Sequence, residues 1–479
     1  MLLLQKVAFE PPSALRLFFW VAILTRTFQE SDADPKIVFT NVDSIRYIDI
    51  ANFSDQGILI GDLNDVKALA VYVKEGWLFW SEFTSAATTI SRSRLTDVSV
   101  KEVILRDLGD VHDMAVEWET GLLYWTDYMH ETVEVATLNG SLRKTLIWEN
   151  IANPSAIVVD SRHGYMFWSE RGWDHPQIER TTLAGTDRTV LVNTFSPAYL
   201  PQLLINSLVI DFNSDLLYWV DAYTSVIEQM KLNGTDRRPL NLYSSRILNS
   251  YSLTLYRDML YASDLSSRSI ERIDITTEQL YRNMGWITAQ RIYGIALNDS
   301  SREPSGMSAC KGNRDCSHFC LLTPSGGICA CSNGYELSSD NRACQAAAPT
   351  TDPPVQAIEI RLMDGATQSV LKGRLEVRQP GGDWGTVCDD QFDLRDANVV
   401  CRMLNHTNAE SYFRPHDEYG FLVSDSVDIW LDNLKCRGTE NSLMECKHRG
   451  WGINNCGHIE DVGIICKNDS IPTPTVKVE

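Results

Sequence analysis

A four-residue phrase, aromatic-Trp-Ser/Thr/Val-acid, recurs through the first three hundred residues of the chain. It reads Phe79-Trp80-Ser81-Glu82, Tyr124-Trp125-Thr126-Asp127, Phe167-Trp168-Ser169-Glu170 and Tyr218-Trp219-Val220-Asp221, then degrades to Tyr261-Ala262-Ser263-Asp264. The steps between phrases are 45, 43, 51 and 43 residues. A fixed period means stacked units, and a period of this length suits a four-stranded propeller blade and exceeds an ankyrin or leucine-rich unit.

The rest of each period keeps phase with the phrase. Glu117, Asp160 and Asp211 stand eight residues before the three middle tryptophans and end apolar runs such as Ile157-Val158-Val159, which read as buried strands. Gly140, Gly185 and Gly234 follow the same tryptophans by fifteen to seventeen residues. Asn139-Gly140 and Asn233-Gly234 predict tight hairpins in which both central residues take positive φ. Along Leu122-Leu123-Tyr124-Trp125-Thr126-Asp127 both faces carry bulky apolar groups, so both must be covered, as happens where blades pack face to face around an axis. Val38-Phe39-Thr40-Asn41 supplies a sixth phrase, and residues 291–297 an apolar strand from the other end. The prediction is a six-bladed ring whose last blade is shared between the two ends, leaving no open sheet edge.

On these tetrads, on Ser161-Arg162-His163-Gly164 and on the hairpins, residues 35–301 resemble the YWTD propeller of the low-density lipoprotein receptor family. The resemblance implies a platform for protein ligands on one face of the ring. It also puts His163 where the family uses histidine in acid-triggered release, but the family's ligand-capture repeats do not accompany this propeller. Glu82 and Glu170 depart from the pattern by replacing aspartate, Ala262 replaces tryptophan, and residues 195–206 read as an insertion; the fifth tetrad's blade is expected to be looser than its neighbours. The tetrad residues themselves are expected to serve packing and strand-end hydrogen bonding. Function is expected in loops at one ring face.

All twelve cysteines lie between Cys310 and Cys466, in two sets of six, and sequons stand at Asn52, Asn139, Asn233, Asn298, Asn405 and Asn468. Even sets at compact spacing argue for an oxidising extracellular compartment. A zinc reading would need cysteine pairs bracketing two to four residues, and Cys329 and Cys331 bracket one. Spacing alone leaves the pairings open. The first set, within residues 307–345, resembles an epidermal-growth-factor-like module, which implies Cys310 with Cys320, Cys316 with Cys329, and Cys331 with Cys344. No acidic or amide residue immediately precedes Cys310, so no calcium is expected there, and the module is expected to be a spacer packed on the ring. Residues 346–356, rich in Pro, Thr and Ala, read as a linker.

Gly373-Arg374-Leu375-Glu376-Val377, Trp384-Gly385-Thr386-Val387-Cys388-Asp389-Asp390, Ile429-Trp430-Leu431-Asp432-Asn433 and residues 455–463 carry a resemblance of residues 357–467 to a scavenger receptor cysteine-rich domain, of group A because it has six cysteines. The fold class is therefore multidomain: an all-β six-bladed propeller, a small disulfide-rich module, and a compact α+β domain. The pairing so implied is Cys388 with Cys456, Cys401 with Cys466, and Cys436 with Cys446. Independently of it, Asp393 reads as a helix cap followed by Ala397, Val400, Cys401 and Leu404 at helical spacing.

The implied Cys388–Cys456 bridge brings Asp389 and Asp390 against Glu460 and Asp461. Clustered carboxylates repel unless a cation intervenes, and oxygen-only donors favour calcium or magnesium over zinc. In the family the matching Asp-Asp-Glu trio binds a divalent cation and contacts ligands. That role is carried over here to Asp389, Asp390 and Glu460, with Asp432 and Asn455 as a second site; a solvated acidic turn is the alternative. Arg374 and Arg378 can face one way on a strand and read anionic ligands, although the family's basic cluster is denser.

The formal charge of -20 and pI near 4.9 disfavour nucleic acid and other polyanions and favour cations and basic protein patches. Residues 17–24 form an apolar stretch of eight, where a bilayer crossing needs about twenty. Residues 1–34 read as a signal peptide and short leader, cleaved between Thr25 and Asp34, and residues 468–479 as a polar tail. A secreted product is expected, with a cell-surface complex as the alternative. No Gly-Asp-Ser-Gly, Gly-x-Ser-x-Gly or His-Glu-x-x-His sequence occurs, and no enzyme is expected. The expected function is extracellular binding of a protein or polyanionic ligand, of scavenger or lipoprotein-receptor type; a matrix or growth-factor signalling modulator with one protein partner is the alternative.

Overall fold

The computed structural model describes residues 35–468, apart from 84–87, 172–175, 194–203, 243–248, 282–289, 347–357, 417–425 and the single positions 437, 439, 447 and 449. The leader and its cleavage point, most of the 195–206 insertion, the linker after residue 346 and the tail after residue 468 lie outside the described residues. The chain divides into two compact units, one up to Gln345 and one from Ala346.

The first unit contains six four-stranded antiparallel sheets, the blades of a propeller. Blade 1 joins strand Ile292–Asn298, from the end of the ring, to Lys36–Asn41, Ile45–Asp49 and Gln56–Ile60 from its start. The two ends thus share one sheet, as the sequence predicts. Blades 2 to 6 follow outward from the inner strands Val66–Tyr72, Val111–Glu117, Pro154–Asp160, Ile205–Asp211 and Ser250–Tyr256. Each tetrad occupies a second strand, and the indoles of Trp80, Trp125, Trp168 and Trp219 are fully buried between sheets.

Three of these tryptophans share an ion-paired cover that the sequence reading did not anticipate. Glu134, Glu179 and Glu228 on the third strands stand opposite Trp125, Trp168 and Trp219. Arg143, Arg188 and Arg237 pair with those carboxylates and lie 5.5, 5.1 and 5.6 Å from the three ring centroids. One guanidinium therefore ties the outer part of a blade together and stacks on its indole.

The third tetrad residue joins blades. Ser81 Oγ accepts a hydrogen bond from Ala68 N at 3.0 Å in its own blade and donates to Val111 O of blade 3 at 3.4 Å. Thr126 donates to Ser155 O, Ser169 to Ile205 O at 2.9 Å, Ser263 to Tyr293 O at 2.7 Å and Thr40 to Lys67 O at 3.2 Å. Val220 has no hydroxyl, and Asn206 Nδ2 spans that junction instead, donating to Ser250 O at 3.0 Å. All six junctions are bridged. The tetrad acids hold the incoming loops: Glu82 accepts from Asn64 N, Asp127 from Gly109 N, Glu170 from Ala152 N and Asp221 from Leu204 N, at 3.1, 2.8, 3.0 and 3.1 Å.

The hairpins differ from expectation. Gly140 has φ +71° and Gly234 φ +89°, but Asn139 and Asn233 do not take positive φ. Thr137 N bonds to Leu142 O and Gly140 N to Thr137 O, enclosing four residues. A longer loop can turn through right-handed residues and needs a single left-handed glycine to rejoin the strands, so the mirror-image turn is not required. Asn139 Oδ1 is used locally, accepting from Ser141 N at 3.1 Å.

After the ring, residues 300–306 cross beneath four blades. Glu303 accepts from Val73 N and Lys74 N, Trp118 Nε1 donates to Pro304 O, Gly306 N donates to Glu119, and Arg302 donates to Ile210 O at 2.8 Å. Burial pushes the Arg302 guanidinium down to about 10. Phe212 lies between Arg302 and Arg162, 4.9 and 4.8 Å from its centroid. The small module follows, with Cys310–Cys320, Cys316–Cys329 and Cys331–Cys344 joined. Its buried Phe319, Leu321 and Leu322 share a core with Trp118 and Trp125 of blade 3, so it packs on the ring. Gly164, at φ +70°, fits beneath it because a Cβ would come within 2.6 Å of Thr323 C.

In the second unit a mixed sheet built around strand Lys372–Arg378 packs with helix α1, Leu394–Met403. Asp393 caps α1, accepting from Arg395 N at 2.7 Å, while Asp396 accepts from Asp393 N at 2.7 Å. Ala397, Val400 and Cys401 face the core. Cys388–Cys456, Cys401–Cys466 and Cys436–Cys446 are joined.

Replacing Ser169 by Ala leaves the buried Ala156 N–H without its acceptor and is expected to cost about 1–3 kcal/mol in urea unfolding; Trp168→Ala is expected to cost about 3–5 kcal/mol.

Candidate functional site

Connections within a blade alternate between the two ring faces. The turns joining first to second and third to fourth strands lie on one face, here called lower; the turns joining second to third strands, and the links between blades, lie on the upper face. Asn52, Asn139 and Asn233 occupy third-to-fourth turns, and Asn298 ends an inner strand, so all four propeller sequons are on the lower face. The strap of residues 300–306 and the small module contact first-to-second turns of that same face. His163 is there too, its Nδ1 2.7 Å from Asp160 Oδ2.

Among the described residues the upper face carries exposed large apolar groups. Phe83, Met129, Trp148 and Tyr223, on the upper ends or links of blades 2, 3 and 5, are 46–58% exposed. Aromatic and methionine side chains are the types enriched where proteins meet.

At the centre of that face, equivalent positions of the six inner strands supply Lys67, His112, Ser155, Asn206, Tyr251 and Tyr293. His112 and Tyr251, from opposite blades, stack across the channel with centroids 5.4 Å apart and planes 21° apart. Tyr293 meets Tyr251 edge-on at 5.1 Å. His112 Nε2 accepts from Arg171 at 2.8 Å, so its proton is on Nδ1, 3.2 Å from Ser155 Oγ. Burial, reinforced by Arg171 and Lys67, holds this imidazole well below its usual value, hence neutral. Lys67 pairs with Asp110 at 3.1 Å. Among the described residues Tyr251 OH, Asn206 Oδ1 and Arg171 Nε are buried atoms with no hydrogen-bond partner, a state that costs free energy until something supplies one. Sequence reasoning missed this mouth because its six residues share no type. Phase could have found most of them, since the first four stand thirteen residues before a tetrad tryptophan.

In the second unit the acids come together. One carboxylate oxygen each from Asp389, Asp390 and Glu460 lies within 4.8 Å of the others. The Cys388–Cys456 bridge and the Asp389 N to Glu460 O bond of 2.8 Å hold the two segments side by side. Arg414 pairs with Asp389 Oδ2, while Asp389 Oδ1 is buried and without a hydrogen-bond partner among the described residues. Glu460 Oε2 accepts from Gly457 N at 2.9 Å. Asp432, fully buried, is close to Asp390 and the bridge sulfurs, and Asn455 is exposed next to Cys456. Asp461 is turned away to His458, 3.1 Å distant, and burial raises its carboxyl above the usual range. An oxygen-only set with one uncompensated buried atom fits a calcium or magnesium ion better than zinc.

Arg374 and Arg378 do not form a free basic cluster. Arg374 pairs with Glu376, which also takes Arg361, and Arg378 pairs with Glu359. Arg361 and Arg378 enclose Trp384, 4.1 and 4.4 Å from its ring centroid.

Comparison with known proteins agrees with this two-part organisation. Residues 364–467 match the scavenger receptor cysteine-rich domain family, and residues 121–161 the low-density lipoprotein receptor repeat class B family. The chain is 45% identical over 117 residues to lysyl oxidase homolog 3 of Mus musculus and 42% identical over 124 residues to lysyl oxidase homolog 2 of Homo sapiens, covering 24% and 26% of this chain. These matches fall in the cysteine-rich domain and span about 15% of the length of those relatives. A chain from the crystal structure of a nidogen/laminin complex superposes with a TM-score of 0.51 at 23% identity, covering 56% of this chain and 99% of that one. That likeness shows the shared propeller fold. Propeller and cysteine-rich domains together point to an extracellular ligand-binding protein. Among the described residues no helix is long and apolar enough to cross a membrane.

Enzymatic release of N-glycans with isotope labelling is expected to mark Asn52, Asn139, Asn233 and Asn298, placing propeller sugar on the lower face.

Proposed function

We propose that the protein is a secreted, non-enzymatic binder that captures a protein partner on the upper propeller face and carries a cation-dependent second site at Asp389, Asp390 and Glu460. The observation that carries the first half is the sidedness of the ring. Strap, module and sequons occupy the lower face, while the upper face holds exposed Phe83, Met129, Trp148 and Tyr223 around a mouth with unsatisfied buried polar atoms. Such a combination of apolar rim and polar centre is what protein partners use. Two sites of modest affinity on one chain also gain from effective concentration.

A second reading, a matrix or signalling modulator with a single protein partner, is favoured by the neutralised state of Arg374 and Arg378, which weakens polyanion capture. The nidogen/laminin complex, one chain of which shares the propeller fold, points the same way. Affinity capture from extracellular fluid separates the two: a partner set lost on chelation supports the scavenger-type reading, and one partner indifferent to chelator supports the modulator.

Trp148→Ala and Met129→Ala are each expected to weaken upper-face capture by about tenfold or more, the effect of truncating an interface anchor; unchanged capture by both would put the partner elsewhere. Calorimetry with calcium is expected to show binding that Asp390→Asn removes. Arg414→Ala, which withdraws a competing cation from Asp389, is expected to tighten it by about threefold, the worth of an exposed ion pair.

A further inference from the structure

On the lower face the third-to-fourth turns of blades 3, 4 and 5 each approach the blade before them. The polar contact at each junction comes from a different group. Tyr124 of blade 3 reaches the turn of blade 4 with its hydroxyl, which donates to Leu183 O at 3.0 Å. Blades 2 and 4 carry phenylalanine at the equivalent tetrad position, Phe79 and Phe167, and an arginine paired opposite the ring takes over: Arg92 Nη1 donates to Leu138 O at 2.9 Å and Arg180 Nη1 to Leu232 O at 3.3 Å.

The two arginines differ in what else they meet. Arg92 stands opposite Glu102 of the outer strand, and its Nε donates to that carboxylate at 2.8 Å. Arg180 stands opposite Thr189, and its Nε is buried with no hydrogen-bond partner among the described residues. Of the five N–H donors of this guanidinium, the one to Leu232 O is engaged there. The group lies over the Tyr165 ring, 4.6 Å from its centroid. Beside it an open cleft of about 390 Å³ separates the lower ends of blades 4 and 5, lined by His163, Tyr165, Phe167, Arg180, Leu232 and the exposed Asn233. Aromatic and leucine walls beside an under-used cation suit a ligand with an apolar face and several oxygen acceptors.

The sequence supplies an attachment point for such a ligand in the cleft itself, because Asn233-Gly234-Thr235 is a sequon. Asn233 Oδ1 accepts from Thr235 N at 3.0 Å and from Thr235 Oγ1 at 2.8 Å, which leaves Nδ2 without a partner among the described residues. N-acetylglucosamine has the required chemistry: a C–H face and an acetamide methyl for the rings, hydroxyls and an acetamide carbonyl for the guanidinium. We infer that the cleft between blades 4 and 5 seats the proximal N-acetylglucosamine residues of a glycan on Asn233, with Arg180 donating to their oxygens. In the attachment step Asn233 Nδ2 loses one proton and bonds to C1 of the first sugar, while a lipid-diphosphate oligosaccharide donor gives up its C1–O bond and leaves as the lipid diphosphate. The seated sugar then closes on the outside a junction that a tyrosine hydroxyl closes one blade earlier. This does not depend on which surface captures a partner.

The test uses the full chain secreted by cells that leave its glycans in the high-mannose form, and an endoglycosidase that cuts between the two core sugars. Under native conditions release at Asn233 is expected to be about tenfold or more slower than at Asn139, the effect of one hydrogen bond to a charged donor. In Arg180→Ala, and in Arg180→Gln, which keeps an amide donor for Leu232 O, the two rates are expected to converge, with Asn139 as the internal standard for an intact fold. Asn233→Gln is expected to lower the thermal midpoint of the native chain and to have less effect in the Arg180→Gln background. Equal release rates at Asn233 and Asn139 in the native chain, an Asn233 that peptide mass spectrometry finds unmodified, or strictly additive midpoint changes would each overturn the inference.

Discussion

The hydrogen bonds that pass from each blade to the next are the constraint on which the first unit depends. Packing of indoles between sheets supplies most of the buried apolar area, but area alone does not fix how one blade is rotated against another. A single hydroxyl does, because Ser81, Thr126, Ser169, Ser263 and Thr40 each reach a carbonyl of the following inner strand. Asn206 keeps the circuit unbroken where Val220 cannot take part. With the first and last strands of the ring paired in blade 1, no junction is left to open first.

Closure has a functional corollary. In a ring of antiparallel blades the turns are sorted strictly between two faces, so whatever is attached to one class of turn is kept from the other. Here the chain leaves the ring from the lower end of Ile292–Asn298, and the strap and the disulfide-stapled module are laid directly beneath it. The channel is thereby blocked from below by Arg302, Trp118 and Phe212. The proposed recognition falls to the upper mouth, where opposite blades meet in the His112–Tyr251 stack.

Much of the ring was legible in the sequence because packing repeats. The tryptophans, the tetrad acids and the shared blade follow from a period and a strand alternation that any four-stranded blade must obey. The Arg143, Arg188 and Arg237 covers were also encoded, each nine residues after its glutamate, but only the fold shows that they meet an indole. The Asn-Gly pairs misled in detail, since loop length and not residue type selected the turn. The mouth was not legible: Lys67, His112, Ser155, Asn206, Tyr251 and Tyr293 hold equivalent positions yet differ in type, so no shared packing task marks them in the sequence. In the second unit the acid trio was legible through the resemblance, whereas the pairing of Arg378 with Glu359 and of Arg361 with Glu376 required knowledge of strand neighbours.

The central claim is that the upper face of a closed propeller is the surface by which this protein engages its partner. Tyr223→Asn tests it most directly, because the change creates a sequon with Thr224 and Ser225 in an exposed upper turn and adds sugar there without touching the core. The account predicts that the glycosylated variant folds, retains its six disulfides and loses partner capture from extracellular fluid. Full capture by a chain shown to carry that sugar would contradict it.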